Sequence, residues 1–244
     1  MTPIEYIGPK PIKKKQRTFH GAWLMLLLVG ASLYFTLKPS DLLAYWIKQH
    51  DLPTDSKVED RVSELQQTNN AGDMLAAAAL LRTTHQQAKY DPDYCEISYP
   101  MGDIPADRGS NADLIVRAFR SQDIDLQQLI HEDMLADFRA YPQLWGSRAA
   151  DSNIDHRRLP NIQRFFERQN ADLKEISRDA EDYEFGDLVS WRLPYGDTHM
   201  GIVVPGPGER GDEKWIVHNM GDGAEWQDVL FEYQITGHYR FFTK

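Results

Sequence analysis

Eight histidines and a single cysteine, Cys95, raise the first question, because imidazole and thiol groups carry much of the nucleophilic, general-base and metal chemistry of proteins. No His-Glu-x-x-His or comparable ligand spacing occurs, so neither a metal site nor a cofactor is expected. His131-Glu132-Asp133 falls on a predicted helix, where adjacent residues do not share a face, which suits a surface or capping role. Asp155-His156-Arg157-Arg158 has two readings. It lines a cleft and offers arginine to a carboxylate, or it anchors a loop through ion pairs. Trp145, Trp191, Trp215 and Trp226 form either a carbohydrate platform or ordinary packing. The remaining chemically promising residues cluster at one helix start and two strands: Asp107-Arg108-Gly109 leading into a helix, Phe185 to Val189, His199-Met200-Gly201-Ile202-Val203, and Val217-His218-Asn219.

Those residues must be positioned by secondary structure, and the pattern supplies it. Ser110 to Ser121 reads as a helix whose Ala112, Ile115, Val116 and Phe119 recur at the spacing of one buried face. Asp113 and Arg117 form an i, i+4 charge pair on its other side. Leu126 to Ala140 reads as a second helix ending at Tyr141-Pro142, and Asn161 to Gln169 as a third that opens after Pro160. The pattern then changes. Asp187 to Leu193, His199 to Val204, Lys214 to His218 and His238 to Phe242 are short and rich in aromatic and β-branched residues, with Gly and Pro clusters between them. Helices first and strands last predict an α+β domain with an antiparallel sheet.

This order resembles that of papain-like bacterial cell-wall peptidases of the NlpC type. It is closer to a family of bacterial envelope proteins described as a domain of unknown function. Tyr90-Asp91-Pro92, Asp107-Arg108-Gly109, Asn153 to Arg158 and Ile235 to Arg240 carry that likeness, which covers Tyr90 to the C-terminus. The resemblance implies a papain-like core: N-terminal helices on a small antiparallel sheet, with a nucleophile at a helix start and a histidine on the sheet. A helix N-terminus lowers a thiol pKa, a facing histidine exchanges the proton, and a third polar residue orients the ring. By this resemblance His199 fits the base, His218 fits the orienting residue, and Gly201 is expected to leave room above the helix. Asp107, Arg108, Arg157 and Arg158 are the expected ligand-binding residues. The family's helix begins with Gly, an apolar residue, Cys, a small polar residue and Asp, whereas this chain reads Gly109-Ser110-Asn111-Ala112-Asp113. Asn111 thus stands where the resemblance places the cysteine, and an amide cannot be that nucleophile. Ser110 is either a substitute nucleophile or, with Asp113 three residues on, a capping box. Cys95 lies upstream in an extended piece.

The N-terminus sets the expected location. Phe19 to Leu37 is apolar, and a helix needs about 20 such residues to cross a bilayer. Lys10, Lys13, Lys14, Lys15 and Arg17 precede it against Glu5 alone, which predicts a cytoplasmic N-terminus and a periplasmic remainder at a bacterial inner membrane. The rival is a signal peptide cleaved near Gly30-Ala31-Ser32, but the apolar run continues beyond it. The chain divides into a basic tail (1–18), a transmembrane helix (19–38), a membrane-proximal helical arm (39–89) and a papain-like domain (90–244). Within the arm, Ser40 to His50 is amphipathic and suits the membrane interface or packing on the domain, and Ala71 to Gln87 reads as a helix. The formal charge is -10. Without the five basic residues and one acid of the tail it is 22 basic against 36 acidic, or -14, which disfavours nucleic acid. The expected partners are the membrane and either peptidoglycan or an envelope protein, engaged by a degenerate domain, a serine-dependent hydrolase, or a scaffold subunit.

Overall fold

The computed structural model describes residues 53–84, 89–221 and 223–242, together with Met25, Val29 and Ser32. The expected basic tail, almost all of the expected span and the amphipathic stretch 40–50 lie outside the described residues. Among the described residues no helix is long and apolar enough to cross a membrane. The chain divides into two compact units, Met1–Asp51 and Leu52–Lys244.

The second unit opens with two helices, α1 (Asp55–Gln67) and α2 (Ala71–Thr84). The Thr54 side chain caps α1 by accepting from the Lys57 N–H, and Asn70 Oδ1 accepts from the Gly72 N–H at the head of α2. Val58, Val62 and Leu65 put one buried stripe on α1, and Leu75, Ala76, Ala79 and Leu80 are fully buried in α2. These residues belong to the same core as Ile115, Phe119 and Ile202. The domain therefore starts well before Tyr90, and residues 55–84 of the expected arm are part of its core. Each fully buried leucine there contributes about 1.5–3 kcal/mol.

Two short strands, β1 (Lys89–Tyr90) and β2 (Arg108–Gly109), pair in parallel and deliver the chain into α3 (Asn111–Arg120). All four residues expected on the buried face of α3 are buried. α4 (Leu126–Ala136) stops four residues before the expected end, because Asp137 leaves helical geometry at φ -150° and a 3-10 turn, Phe138–Ala140, follows. α5 (Leu159–Arg168) carries Pro160 in its first turn, where a missing N–H is tolerated.

The sheet comprises β3 (Leu188–Arg192), β4 (Thr198–Pro205), β5 (Lys214–His218), β6 (Glu225–Gln227) and β7 (Gln234–Tyr239), in the order β6-β5-β4-β3-β7 and antiparallel throughout. The fold is thus mixed α+β. Strand alternation sends Met200, Ile202, Val204 and Val217 into the main core beneath the helices. Val189, Trp191, Val203 and Ile216 join Tyr183 and Leu230 in a smaller cluster on the other face. Both faces are therefore covered, and the strand ends that carry the histidines lie at the edge of this packing.

Candidate functional site

The site is built on the first turn of α3. Ser110 is its N-cap, and both its backbone N–H (2.6 Å) and its hydroxyl (2.7 Å) donate to Asp113 Oδ2. Asp113 also accepts from Arg157 Nε at 2.8 Å and Nη2 at 3.2 Å. Burial alone would raise the Asp113 pKa, but the Arg157 guanidinium and the Ser110 donors hold it below the usual carboxylate range. Arg157 donates further to the carbonyls of Asp93 (2.5 Å) and Asp91 (2.8 Å), so this buried ion pair ties the start of α3 to the loop after β1. The anchoring reading of Asp155 to Arg158 therefore holds for Arg157. Arg157→Ala strands a buried carboxylate and is expected to cost about 3–5 kcal/mol, read as a lowered denaturant midpoint. An unchanged midpoint would show that Asp113 is solvated.

Asn111, 5 % exposed, follows the cap and faces β4. Its Nδ2 lies 2.9 Å from both ring nitrogens of His199. His199 Nε2 lies 3.0 Å from His218 Nδ1, and His218 Nε2 lies 3.0 Å from Gln227 Oε1. These contacts fix the tautomers. A carbonyl oxygen only accepts, so His218 Nε2 carries a proton and its Nδ1 is an acceptor. His199 Nε2 must then donate, leaving the His199 Nδ1 lone pair for Asn111 Nδ2. The Asn111 approach to Nε2 is proximity rather than a second hydrogen bond, because that nitrogen bears hydrogen. Among the described residues Asn111 Oδ1 is buried without a partner.

Both imidazoles are neutral. Burial, and secondarily the neighbouring His218, pulls His199 down to about 3. Burial also lowers His218 despite the opposing bond from Gln227. The two rings stand at 86°, with centroids 5.1 Å apart.

Gly201 plays a different part from the one expected. A Cβ there would meet Ile216 Cγ2 at 2.4 Å and His218 Cβ at 3.2 Å. The missing side chain makes room for β5 and for His218, not for the helix.

A hollow of about 700 Å³ opens beside Asn111 and His199, with Tyr90, Tyr94, Trp145 and Arg158 among its walls. A second, of about 490 Å³, has Arg82, Asp103, Asp107 and Arg117 among its walls. Ser110 and Asn219 line both, so the two hollows share a border at the start of α3.

Of the residues singled out by sequence, Asn111, His199 and His218 come together. Ser110 adjoins them, but its hydroxyl is turned to Asp113. Asp107 lines the second hollow. Arg108 pairs with Asp91 at 3.2 Å and approaches Asp107 at 3.8 Å, and it lines neither hollow. Arg158 lies 4.7 Å from the Trp145 ring and bonds Ser147 Oγ. Trp191, Trp215 and Trp226 are buried, whereas Trp145 is 63 % exposed on the first hollow, so packing describes three of the four tryptophans. Cys95 lines neither hollow, and its Sγ lies 3.6 Å from the Glu96 carbonyl. His131 pairs with Asp155, and His238 with Asp187. Sequence reasoning missed Gln227, which sits on a three-residue strand too short to show alternation, and Arg82, which the arm reading set aside.

Residues 76–241 match the family model described as "Domain of unknown function (DUF1287)". The chain belongs to this family. The DUF1287 segment begins inside α2 and contains α3, the whole sheet and every member of the chain Asn111–His199–His218–Gln227. A curated relative, "Uncharacterized protein YijF" of Escherichia coli (strain K12), is 47 % identical over 155 residues, covering 64 % of this chain and 75 % of that protein. Among solved structures, NlpC1 from Trichomonas vaginalis aligns with TM-score 0.35 and 19 % identity, over 70 % of this chain and 45 % of that one. NlpC2 from the same organism aligns with TM-score 0.34 and 17 % identity, over 72 % and 48 %. The chain spans about half the length of those two proteins.

Proposed function

We propose that this is a membrane-anchored envelope protein whose papain-like domain binds peptides without cleaving them, either peptidoglycan stem peptides or a peptide segment of an envelope partner. One observation carries the reading. At the head of α3, where a papain-like site needs a thiol, a carboxamide is hydrogen-bonded to a neutral, oriented imidazole. The surroundings of a nucleophile are present without the nucleophile. The apolar run Phe19 to Leu37 behind a basic tail supports an inner-membrane anchor with the domain on the periplasmic side.

A serine-dependent hydrolase has less support. The Ser110 hydroxyl donates to Asp113, which is tied to Arg157, and makes no bond to His199.

The test uses the full chain in detergent micelles, incubated with purified peptidoglycan sacculi. Sedimentation with the sacculi, with no soluble fragments released, is the expected result. Ser110→Ala should likewise release no fragments and should cost about 1 kcal/mol of stability through the lost cap. Fragment release abolished by both Ser110→Ala and His199→Ala would overturn the non-catalytic reading.

A further inference from the structure

The second hollow holds a guanidinium that has no direct ion-pair partner among the described residues. Among its cationic neighbours, Arg117 is fully engaged. It grips Asp103 from Nε at 2.9 Å and Nη2 at 3.0 Å, and it donates to the carbonyls of Ile104 and Arg108. Arg120 approaches Asp103 at 3.8 Å and pairs with Asp125 at 3.3 Å. Asp107 lies 3.8 Å from Arg108. Arg82 reaches into the same hollow from α2, and its hydrogen bond is one donation from Nη2 to the Arg117 carbonyl at 3.2 Å. Among the described residues no carboxylate lies within ion-pair distance of it. Burial, and then the like charge of Arg117, lower its pKa from the ordinary arginine value, and the more distant Asp103 charge offsets only part of this.

We propose that Arg82 is a ligand-binding residue that takes a carboxylate of the bound peptide in the hollow bordering Ser110 and Asn219. This rests on the peptide-binding reading and adds where the ligand's negative charge goes. A guanidinium presents a planar fork that matches a carboxylate with two parallel N–H···O bonds, and among the described residues only one Arg82 donation, from Nη2, is already made. The opposing charges set the ligand class. Asp103 and Asp107 sit on the same walls, so a singly charged carboxylate fits where a dianionic phosphate would be repelled. The hollow's volume of about 490 Å³ suits a residue-sized group, and its border with the first hollow lets one peptide reach from the His199 side to Arg82.

The test is a titration of the full chain in detergent with the tetrapeptide stem of peptidoglycan. It is run beside a counterpart in which every carboxylate is a carboxamide, and beside a phosphoserine-containing peptide of equal length. The free acid should bind on the order of tenfold more tightly than the carboxamide form, as expected for a charge-assisted pair in a cleft. In Arg82→Gln that preference should vanish, and in Arg82→Lys part of it should remain. In Arg158→Gln, on the other hollow, the preference should persist. Equal binding of acid and carboxamide by the wild type overturns the Arg82 assignment and leaves peptide binding intact. Loss of the preference in Arg158→Gln but not in Arg82→Gln also overturns it, and tighter binding of the phosphopeptide overturns the monoanion class. Failure of the wild type to bind any of the three overturns the peptide-binding reading and this assignment with it. Should Arg82→Gln fail to fold, the wild-type contrast between acid and carboxamide and the Arg82→Lys variant decide the matter.

Discussion

Asn111→Cys is expected to convert the silent site into a hydrolase, with cell-wall fragment release at least on the order of a thousandfold above the wild type. The expectation follows from what the site already contains. Residue 111 occupies the first turn of a helix, where the macrodipole stabilises a thiolate. The His199 Nδ1 lone pair is aimed at its side chain, because the bonds to His218 and Gln227 hold the proton on Nε2. In the native protein the imidazole faces an amide, which has no proton of useful acidity to yield, and burial holds its pKa at about 3. A thiol supplies both an acid and, once ionised, a neighbouring negative charge that favours the imidazolium. Losing a triad nucleophile costs on the order of a million-fold in other enzymes, so regaining even part of that is a large signal. The measurement is made in a Cys95→Ser background, with fragment release and the rate of thiol alkylation at pH 6 as paired readouts. His199→Ala in the same background should erase both gains, and Gln227→Leu should erase much of them by releasing the tautomer. A folded Asn111→Cys protein that alkylates no faster than an ordinary thiol and releases nothing would show that residue 111 is not a nucleophile's seat.

The elements that carry that site were largely legible in the sequence, and the family resemblance supplied which of their residues to look at. The 3, 4, 7 spacing of Ala112, Ile115, Val116 and Phe119 fixed α3 and its buried side, and hence what stands at its start. His199 and His218 fell on β-branched runs that pair as neighbours, which brings them together in space. The α1–α2 pair was harder to read. The segment from Leu52 to Asn70 is polar on average, and the stripe Val58, Val62, Leu65 that buries α1 is only three residues wide. Average polarity describes the exposed side of such a helix, whereas periodicity describes the side that packs.

Long-range partners were the least legible. Arg157 and Asp113 are 44 positions apart, and nothing local distinguishes a buried pair from two solvated charges. Gly201 was assigned the wrong neighbour for a related reason. A glycine reports that something comes close, but the sheet register decides what, and here it is β5 across the pleat. Arg82 was lost with the arm that was expected to hold it.

Acid is expected to unfold this domain well above the pH at which its carboxylates titrate. His156 and His199 are buried and neutral in the folded protein, with burial as the leading cause, and they are held at about 4 and about 3. His218 is lowered in the same direction. In the unfolded chain all three return to about 6.5. Between those limits the unfolded state binds more protons than the folded one, so stability is fully present above about pH 6.5 and falls as the pH drops toward the folded values. At 1.36 kcal/mol per unit, His156 and His199 together remove about 6 kcal/mol by pH 4, an upper bound that rivals the whole stability of many domains. Asp113 and Asp187 act in the same sense but only at lower pH, since Arg157 and Ser110 in one case, and Arg240 and His238 in the other, hold them below the ordinary carboxylate range. Asp155, raised by burial, opposes the trend by a single group. Urea melts of the full chain in detergent between pH 4 and 7 should show a midpoint that falls steadily below pH 6.5, with His156 and His199 contributing a slope of about two protons at pH 5. His156→Leu should lower that slope by about one proton and leave stability at pH 7 nearly unchanged, because the His156 Nδ1 has no partner to lose. A midpoint that stays flat to pH 4.5 would mean that these rings are protonated or solvated in the fold. The tautomer chain that orients His199 toward residue 111 would then have to be abandoned.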